Sequence, residues 1–410
     1  MNDRLVVWLH GVRLGEVQRL RNGRLRLRFD DDAVARHGIG ARPLSLSLPV
    51  TDRRVQGPQL ERFLDNLLPE SSVRSALERE HGVRPGDTFT LLGALGRECA
   101  GAVQLTADDR PLGPGRLVPL TDDAVAVLVS RLPTLDPPDG ETVSASLGGV
   151  QAKVLLTRTD DGWAWPADGA MSTHIVKPEP VTDVAVPDLV RWEEWTLRLA
   201  RTAGLPAATA ELAEFDGRTA IVVERFDRRG GARVHQEDMA QALGVAARDK
   251  YESSSARPSR LESLAAVAAA EATDPDALLT GLLAQVTFNL VVGNGDAHAK
   301  NYSLTLGDAA GCAMAPLYDV APVYLLNPAY QHFGLALDGQ PRLRHLTGAH
   351  LVREAAHWGM REPAVLEVVE RVTTAVREAL PHCAAVGLDT DDVAEQIAAR
   401  AARVLADASV

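Results

Sequence analysis

Apolar and polar residues alternate through the first thirty positions. Leu5, Val7 and Leu9, then Leu25, Leu27 and Phe29, share one face, with Gly11 and Gly23 between runs, which predicts a small antiparallel sheet. The period changes over 58–95, where Leu60, Phe63, Leu64, Leu67 and Leu68 sit at helical spacing until Pro69 ends the run. Residues 106–141 are rich in Asp, Pro and Gly and predict a linker, leaving 1–105 as an N-terminal α+β subdomain. Short apolar runs at 150–157, 174–177 and 220–225 predict strands, with a helix over 189–203, so 142–235 is expected to be a strand-rich part. From 236 to 410 the pattern predicts a helical lobe. Its apolar run at 277–293 is interrupted by Thr280, Gln285, Thr287 and Asn289, so a buried helix is expected there rather than a membrane span. Residues 252–260, with three consecutive serines, predict a mobile loop. Strands followed by helices point to a two-lobed second unit with a cleft between the lobes.

Composition sharpens this picture. Of 43 basic residues, 39 are Arg and only Lys153, Lys177, Lys250 and Lys300 are lysine. Such a bias toward Arg marks the surviving lysines as places where an ammonium is preferred to a guanidinium. Net charge is −12; residues 1–110 carry 17 Arg against 15 acidic residues, and the rest carries 26 basic against 40 acidic. An acidic body binds DNA poorly by itself, so a role at DNA requires a basic partner. Three scattered cysteines exclude a disulfide framework or a cysteine zinc site and fit a reducing cytoplasm. Residues 1–10 carry charge and no long apolar core, so no secretory signal is expected and the location expected is cytoplasmic.

The sharpest chemistry is Gly293-Asn294-Gly295-Asp296-Ala297-His298-Ala299-Lys300-Asn301, after an apolar helix and before a strand. Asp296 and Asn301 have the spacing Asp-x-x-x-x-Asn, and Leu317-Tyr318-Asp319-Val320 follows. Protein-kinase-like phosphoryl transfer uses such parts in this order: an Asp to accept the hydroxyl proton, then an Asn and a second Asp to hold magnesium. Lys300 lies inside this loop, where its ammonium can face the transferring phosphoryl group. A Gly- and Asn-rich helix C-terminal turn accounts for Asp296 equally well, and a metal-hydrolase cluster of Asp296, His298 and Asp319 lacks a second His at ligand spacing. Upstream, Gly148-Gly149-Val150-Gln151-Ala152-Lys153 is a small-residue turn able to wrap phosphates, or a plain hairpin turn. Lys177 ends a strand where a kinase keeps its phosphate-binding Lys, with Glu193 and Glu194 as candidate partners. Glu224-Arg225-Phe226-Asp227-Arg228 falls where an interlobe hinge is expected, and reads also as an ordinary strand end.

These blocks together resemble the HipA-type serine/threonine kinase toxins of type II toxin–antitoxin pairs. The resemblance runs nearly end to end, through Val7-Trp8-Leu9-His10-Gly11, Arg42-Pro43-Leu44-Ser45-Leu46-Ser47-Leu48-Pro49, Phe63-Leu64-Asp65-Asn66-Leu67-Leu68-Pro69-Glu70, Gly96-Arg97-Glu98-Cys99-Ala100-Gly101-Ala102, His235-Gln236-Glu237-Asp238-Met239 and Lys250-Tyr251-Glu252, besides the segments above. It implies a two-lobed kinase-like fold of the α+β class, with an all-helical C-terminal lobe. It implies ATP and Mg2+ as cofactors, Asp296 as catalytic base with Lys300 beside it, and Asn301 and Asp319 as magnesium ligands. Gly148, Gly149, Val150, Gln151, Lys153, Lys177 and His298 would bind the phosphates, and Glu224 and Phe226 would present main chain to adenine. Ser146 matches the family's autophosphorylation serine, whose phosphate expels the loop and silences the kinase. The implied partners are a HipB-type helix-turn-helix antitoxin, which carries the pair to DNA, and a protein substrate such as an aminoacyl-tRNA synthetase. A small-molecule or lipid-headgroup kinase is the alternative, since Asp-x-His-x-x-Asn also resembles phosphoinositide-kinase sites. Ala152 and the 253–260 loop depart from the family pattern.

Overall fold

The computed structural model describes all residues except 1–2, 111, 135–136, 142, 144–147, 182–184, 253–256, 308–310, 386 and 409–410. Ser146, Leu147 and the serine run of the 252–260 loop therefore lie outside the described residues. The chain divides into two compact units, Met1–Pro178 with Ala213–Ala247 and Thr305–Asp308, and Glu179–Leu212 with Arg248–Leu304 and Ala309–Val410.

The first unit opens with β1 (Arg4–Leu9), β2 (Val12–Arg19) and β3 (Leu25–Phe29), followed by α1 (Asp31–His37) and β4 (Arg54–Gln56). Helices α2 (Pro58–Asn66), α3 (Ser71–Glu80) and α4 (Thr88–Leu95) precede β5 (Val103–Thr106), which closes an antiparallel sheet of order β4-β3-β2-β1-β5. Period-two alternation builds this sheet: Leu25, Leu27 and Phe29 are buried while Arg26 and Arg28 face away. A second, six-stranded sheet contains β6 (Arg116–Leu120), β7 (Val154–Thr159), β8 (Gly162–Ala167), β9 (His174–Pro178), β10 (Ala210–Phe215) and β11 (Arg218–Glu224), in the order β10-β11-β9-β7-β8-β6. The stretch 106–141, expected as a linker, instead supplies β6 and α5 (Asp122–Arg131). Its composition misleads because β6 is an edge strand, where mostly exposed residues and Pro119 are tolerated.

One apolar core runs through both sheets, from Leu5, Leu27 and Phe63 to Val154, Val176 and Val222. Beside it lies a buried ionic network. Glu98 is 3.0 Å from Arg225, 2.9 Å from Arg228 and also pairs with Arg233, while Asp227 meets Arg225 at 2.8 Å and Arg228 at 3.1 Å. Ser172 Oγ donates to Glu98 at 2.8 Å, and the Gly101 N–H donates to Asp227 at 2.6 Å. Burial alone would raise both carboxyls, but the guanidiniums outweigh it and hold both below the usual range. The Gly96–Ala102 and Glu224–Arg228 blocks of the sequence are thus two sides of one seam. His235 adds a second tie, accepting from the Ala102 N–H at Nδ1 (3.3 Å) and contacting the Leu44 carbonyl through Nε2 (2.9 Å).

The short helix α7 (Met239–Ala242) belongs to the first unit; the second unit is built on α9 (Pro275–Val292), with α6 (Leu189–Thr202) and α8 (Arg260–Glu271) before it and α10 (Val323–Leu326) and α11 (Gly348–His357) after it. Pro275 starts α9, Asp274 accepts from the Ala277 N–H at 3.0 Å, and left-handed Gly293 ends it. The helix is long and apolar enough to cross a membrane, yet it is largely buried, packed against α8, α12 (Glu362–Ala379) and α13 (Asp391–Ala408). Trp195 of α6 donates from Nε1 to the Cys383 carbonyl at 2.7 Å. The region after 236, expected as all-helical, also contains strands: β12 (Ser303–Gly307), β13 (Gly311–Met314), β14 (His332–Leu337) and β15 (Gln340–Arg342). They are short hairpin strands, and their apolar runs fit helix or strand equally by period.

Candidate active site

Where α9 stops, the chain makes a tightly cross-bonded turn. The Asn294 N–H donates to the Asn289 carbonyl at 2.9 Å, and its side-chain amide donates to Asn289 Oδ1 at 2.8 Å. Asn294 Oδ1 accepts from the Asp296 N–H at 3.1 Å. The Asp296 carbonyl accepts from the His298 N–H at 2.7 Å and from Asn301 Nδ2 at 2.9 Å. Asn301 Nδ2 also lies 3.5 Å from the Asp319 carbonyl, so one amide ties the loop to the later Asp. Tyr318 donates to the Lys300 carbonyl at 2.6 Å and meets Ser303 Oγ at 2.7 Å. Asp319 has a left-handed backbone, φ 56°, an uncommon conformation for a residue with a side chain. His298, Lys300 and Asn301 are buried; Asp296 and Asp319 are half-buried.

His298 is held neutral. Burial pushes its imidazole down to about 3, helped by Lys250 and Lys300 and opposed by Asp319. Its Nδ1 is buried without a hydrogen-bond partner among the described residues. Such an orphaned atom in a loop of oxygen donors suits a site that receives a polar ligand.

A residue given no role from sequence stands over this loop. Tyr251 donates its hydroxyl to Asp296 Oδ1, and its ring meets His298 edge-on, centroids 5.0 Å apart at 85°. Lys250 Nζ is 5.7 Å from the Tyr251 ring centroid. The main chain is fixed on both sides: the Lys250 carbonyl accepts from the Ala299 N–H at 3.1 Å, and the Glu252 N–H donates to the Gly334 carbonyl at 2.9 Å. The only signals for Tyr251 in the sequence were the Lys-Tyr-Glu block and the rarity of Lys.

The second unit thus brings together Asp296, His298, Lys300, Asn301 and Asp319. Glu193 and Glu194 also lie in the second unit, whereas Gly148, Gly149, Val150, Gln151, Lys153, Lys177, Glu224 and Phe226 belong to the first. Lys177 is buried on β9, between β7 and β11 and opposite Ile221. In the small-residue turn, Lys153 Nζ donates to the Gly148 carbonyl at 2.8 Å, closing the loop on itself. Gly149 has φ 117°, a backbone conformation that favours glycine. Its carbonyl accepts from the Glu70 N–H at 3.0 Å, which pins the turn to the Pro69-Glu70 block. Val150 is exposed and Gln151 half-buried. Glu224 and Phe226 alternate with Arg225 and Asp227, which turn into the ionic network. Glu193 and Glu194 lie buried on α6 in the second unit, with Glu194 3.2 Å from Arg198.

Among the described residues no three His, Cys, Asp or Glu side chains converge as a metal cage. The oxygens of Asn301 and Asp319 are the hard donors that suit magnesium, which takes few protein ligands and completes its shell with phosphate and water.

The chain is similar to known proteins along most of its length. Residues 5–106 match the HipA N-terminal domain and 145–380 the HipA-like C-terminal domain. Protein Y4mE of Sinorhizobium fredii is 37% identical over 330 residues, 77% of this chain and 76% of that protein. The serine/threonine-protein kinase toxin HipA of Shewanella oneidensis is 33% identical over 319 residues, 73% of this chain and 71% of its own length. Among solved structures, the complex of Shewanella oneidensis HipA with HipB and operator DNA superposes with a TM-score of 0.80 at 29% identity, covering 99% of this chain and 96% of that one.

Proposed function

The chain belongs to the HipA family, and from that premise we infer that it is an ATP- and magnesium-dependent serine/threonine protein kinase acting as the toxin of a toxin–antitoxin pair. One observation carries the reading: Asn301 Nδ2 bonds the main chain of both Asp296 and Asp319, which gathers a base and two oxygen ligands around one loop. The amide nitrogen is the engaged end of Asn301, so its oxygen is the atom offered to a metal.

In the proposed transfer Asp296 accepts the proton of a serine or threonine hydroxyl as that oxygen bonds to the γ-phosphorus of ATP and the bond to the β,γ-bridging oxygen breaks, releasing ADP. Lys177 and Lys300 supply compact positive charge to phosphate oxygens. Main-chain N–H groups of Gly148, Gly149, Val150 and Gln151 cradle the phosphates, with Lys153 holding the turn closed. Neutral His298 offers a polar contact without adding charge. Glu224 and Phe226 offer main chain to adenine. Magnesium held at Asn301 and Asp319 would neutralise charge on the phosphates. Ser146 is the proposed site of self-phosphorylation, and a translation component such as an aminoacyl-tRNA synthetase is the proposed substrate class. A small basic helix-turn-helix antitoxin is the proposed partner; the Shewanella relative is solved with HipB, and a charge of −12 complements a basic protein.

The test incubates the full chain with Mg-ATP, alone and with a bacterial lysate, and maps phosphosites by mass spectrometry beside Asp296→Asn. Expected is phosphate on Ser146, reduced about 100-fold or more in the variant. Absence of phosphate on Ser146 and on every lysate protein sinks the reading. ATP consumed without a phosphoprotein points to the small-molecule or lipid-headgroup alternative.

A further inference from the structure

We propose that Tyr251 is the positioning residue of the phosphotransfer base: its hydroxyl holds Asp296 Oδ1 and so sets the orientation in which the carboxylate meets the acceptor hydroxyl. This rests on the kinase reading of the loop. A half-buried carboxylate can adopt several rotamers, and general-base catalysis requires one of them. The main chain of Asp296 is fixed by its bonds to Asn294, His298 and Asn301, but those bonds leave the side-chain torsions open. The hydrogen bond from Tyr251 acts on the carboxylate itself.

Tyr251 is suited to this task because it is anchored on both sides although half in solvent, at 50% exposure. The residues on either side are anchored, Lys250 to Ala299 and Glu252 to Gly334. The Glu252 carboxylate adds bonds from the Arg260 N–H at 3.1 Å and the Ala336 N–H at 3.3 Å. The ring itself is seated on His298 and beside Lys250. A tyrosine held by three elements does not swing as a flap; its ordering cost is met by folding rather than at the moment of reaction. The exposed side of the ring also borders the face from which a protein acceptor must come, since the loop's other residues are buried.

Tyr251→Phe keeps the ring contacts and removes only the hydroxyl. Single-turnover phosphate incorporation from Mg-ATP into the full chain is measured for wild type, Tyr251→Phe and Asp296→Asn, with thermal melting of each. Expected for Tyr251→Phe is a maximal rate reduced about tenfold, the effect of losing one hydrogen bond to a charged group, with half-saturating ATP and melting temperature unchanged. A wild-type or faster rate overturns the proposal, as does a raised ATP requirement at unchanged maximal rate, a rate loss matched by a lower melting temperature, or phosphate found on Tyr251 itself. In each of those cases an active wild type and an inactive Asp296→Asn leave the kinase reading standing. No transfer by the wild type removes that reading and the proposal together.

Discussion

Glu237 is wholly buried, accepting from the Leu46 N–H at 2.7 Å, and burial pushes its carboxyl from 4.5 up to about 8. The folded chain therefore keeps the proton through a range in which the unfolded chain has lost it. Because the folded state binds more protons there, stability falls as pH rises from about 4.5 to 8. Glu237→Gln should remove that slope, raising stability on the order of 3 kcal/mol more at pH 8 than at pH 5. Thermal melting of both proteins across this range checks it; parallel curves would show that Glu237 is ionised in the fold. The four lysines are the other residue-scale markers. Lys177→Arg should cost most, raising the ATP requirement about tenfold in a filter-binding titration, because a planar fork replaces a compact ammonium. Lys250 abuts the Tyr251 ring and lowers the His298 imidazole, so Lys250→Arg should slow phosphate incorporation measurably.

The turn from Gly293 to Asn301 depends on how closely β14 approaches it. A Cβ at Gly334 would lie 2.4 Å from both Ala297 C and His298 N, main-chain atoms that cannot step aside. Gly334→Ala should destabilise the chain by about 1–3 kcal/mol and depress phosphotransfer beyond what that loss explains. Urea unfolding and the single-turnover assay together check it; a fully active variant would mean the loop tolerates displacement. At this scale the sequence was legible where one periodicity dominated. Leu25, Leu27 and Phe29 announced β3, and the apolar run ending at Gly293 announced α9. It was not legible where partners lie far along the chain. Gly334 is one glycine among 33 until the turn beneath it is seen. Likewise Arg225 and Asp227 read as ordinary charge at a strand end, though both are buried, Arg225 against Glu98 and Asp227 against the Gly101 N–H, each more than 120 positions away.

Over the whole molecule, charge separates what the chain does alone from what it does with a partner. With net charge −12, the isolated protein should not retard a short DNA duplex at micromolar concentration and about 0.15 M salt, whereas adding a basic helix-turn-helix partner should give a retarded ternary complex. Retardation by the chain alone would show that local Arg clusters outweigh the net charge. The N-terminal sheet and the six-stranded sheet share one apolar core and the Glu98 network, so the boundary expected over 106–141 does not separate two cores. Sequence alone determined the order of parts, the Asp296-to-Asn301 spacing, the family resemblance and the acidic balance, because these are properties of neighbours along the chain or of sums over it. Only the tertiary structure decided that Tyr251 caps Asp296, that Gly149 is pinned to Glu70 and that His298 stays neutral. Each of these depends on segments remote in sequence being packed within a few ångströms, where burial and fixed hydrogen-bond geometry set the chemistry.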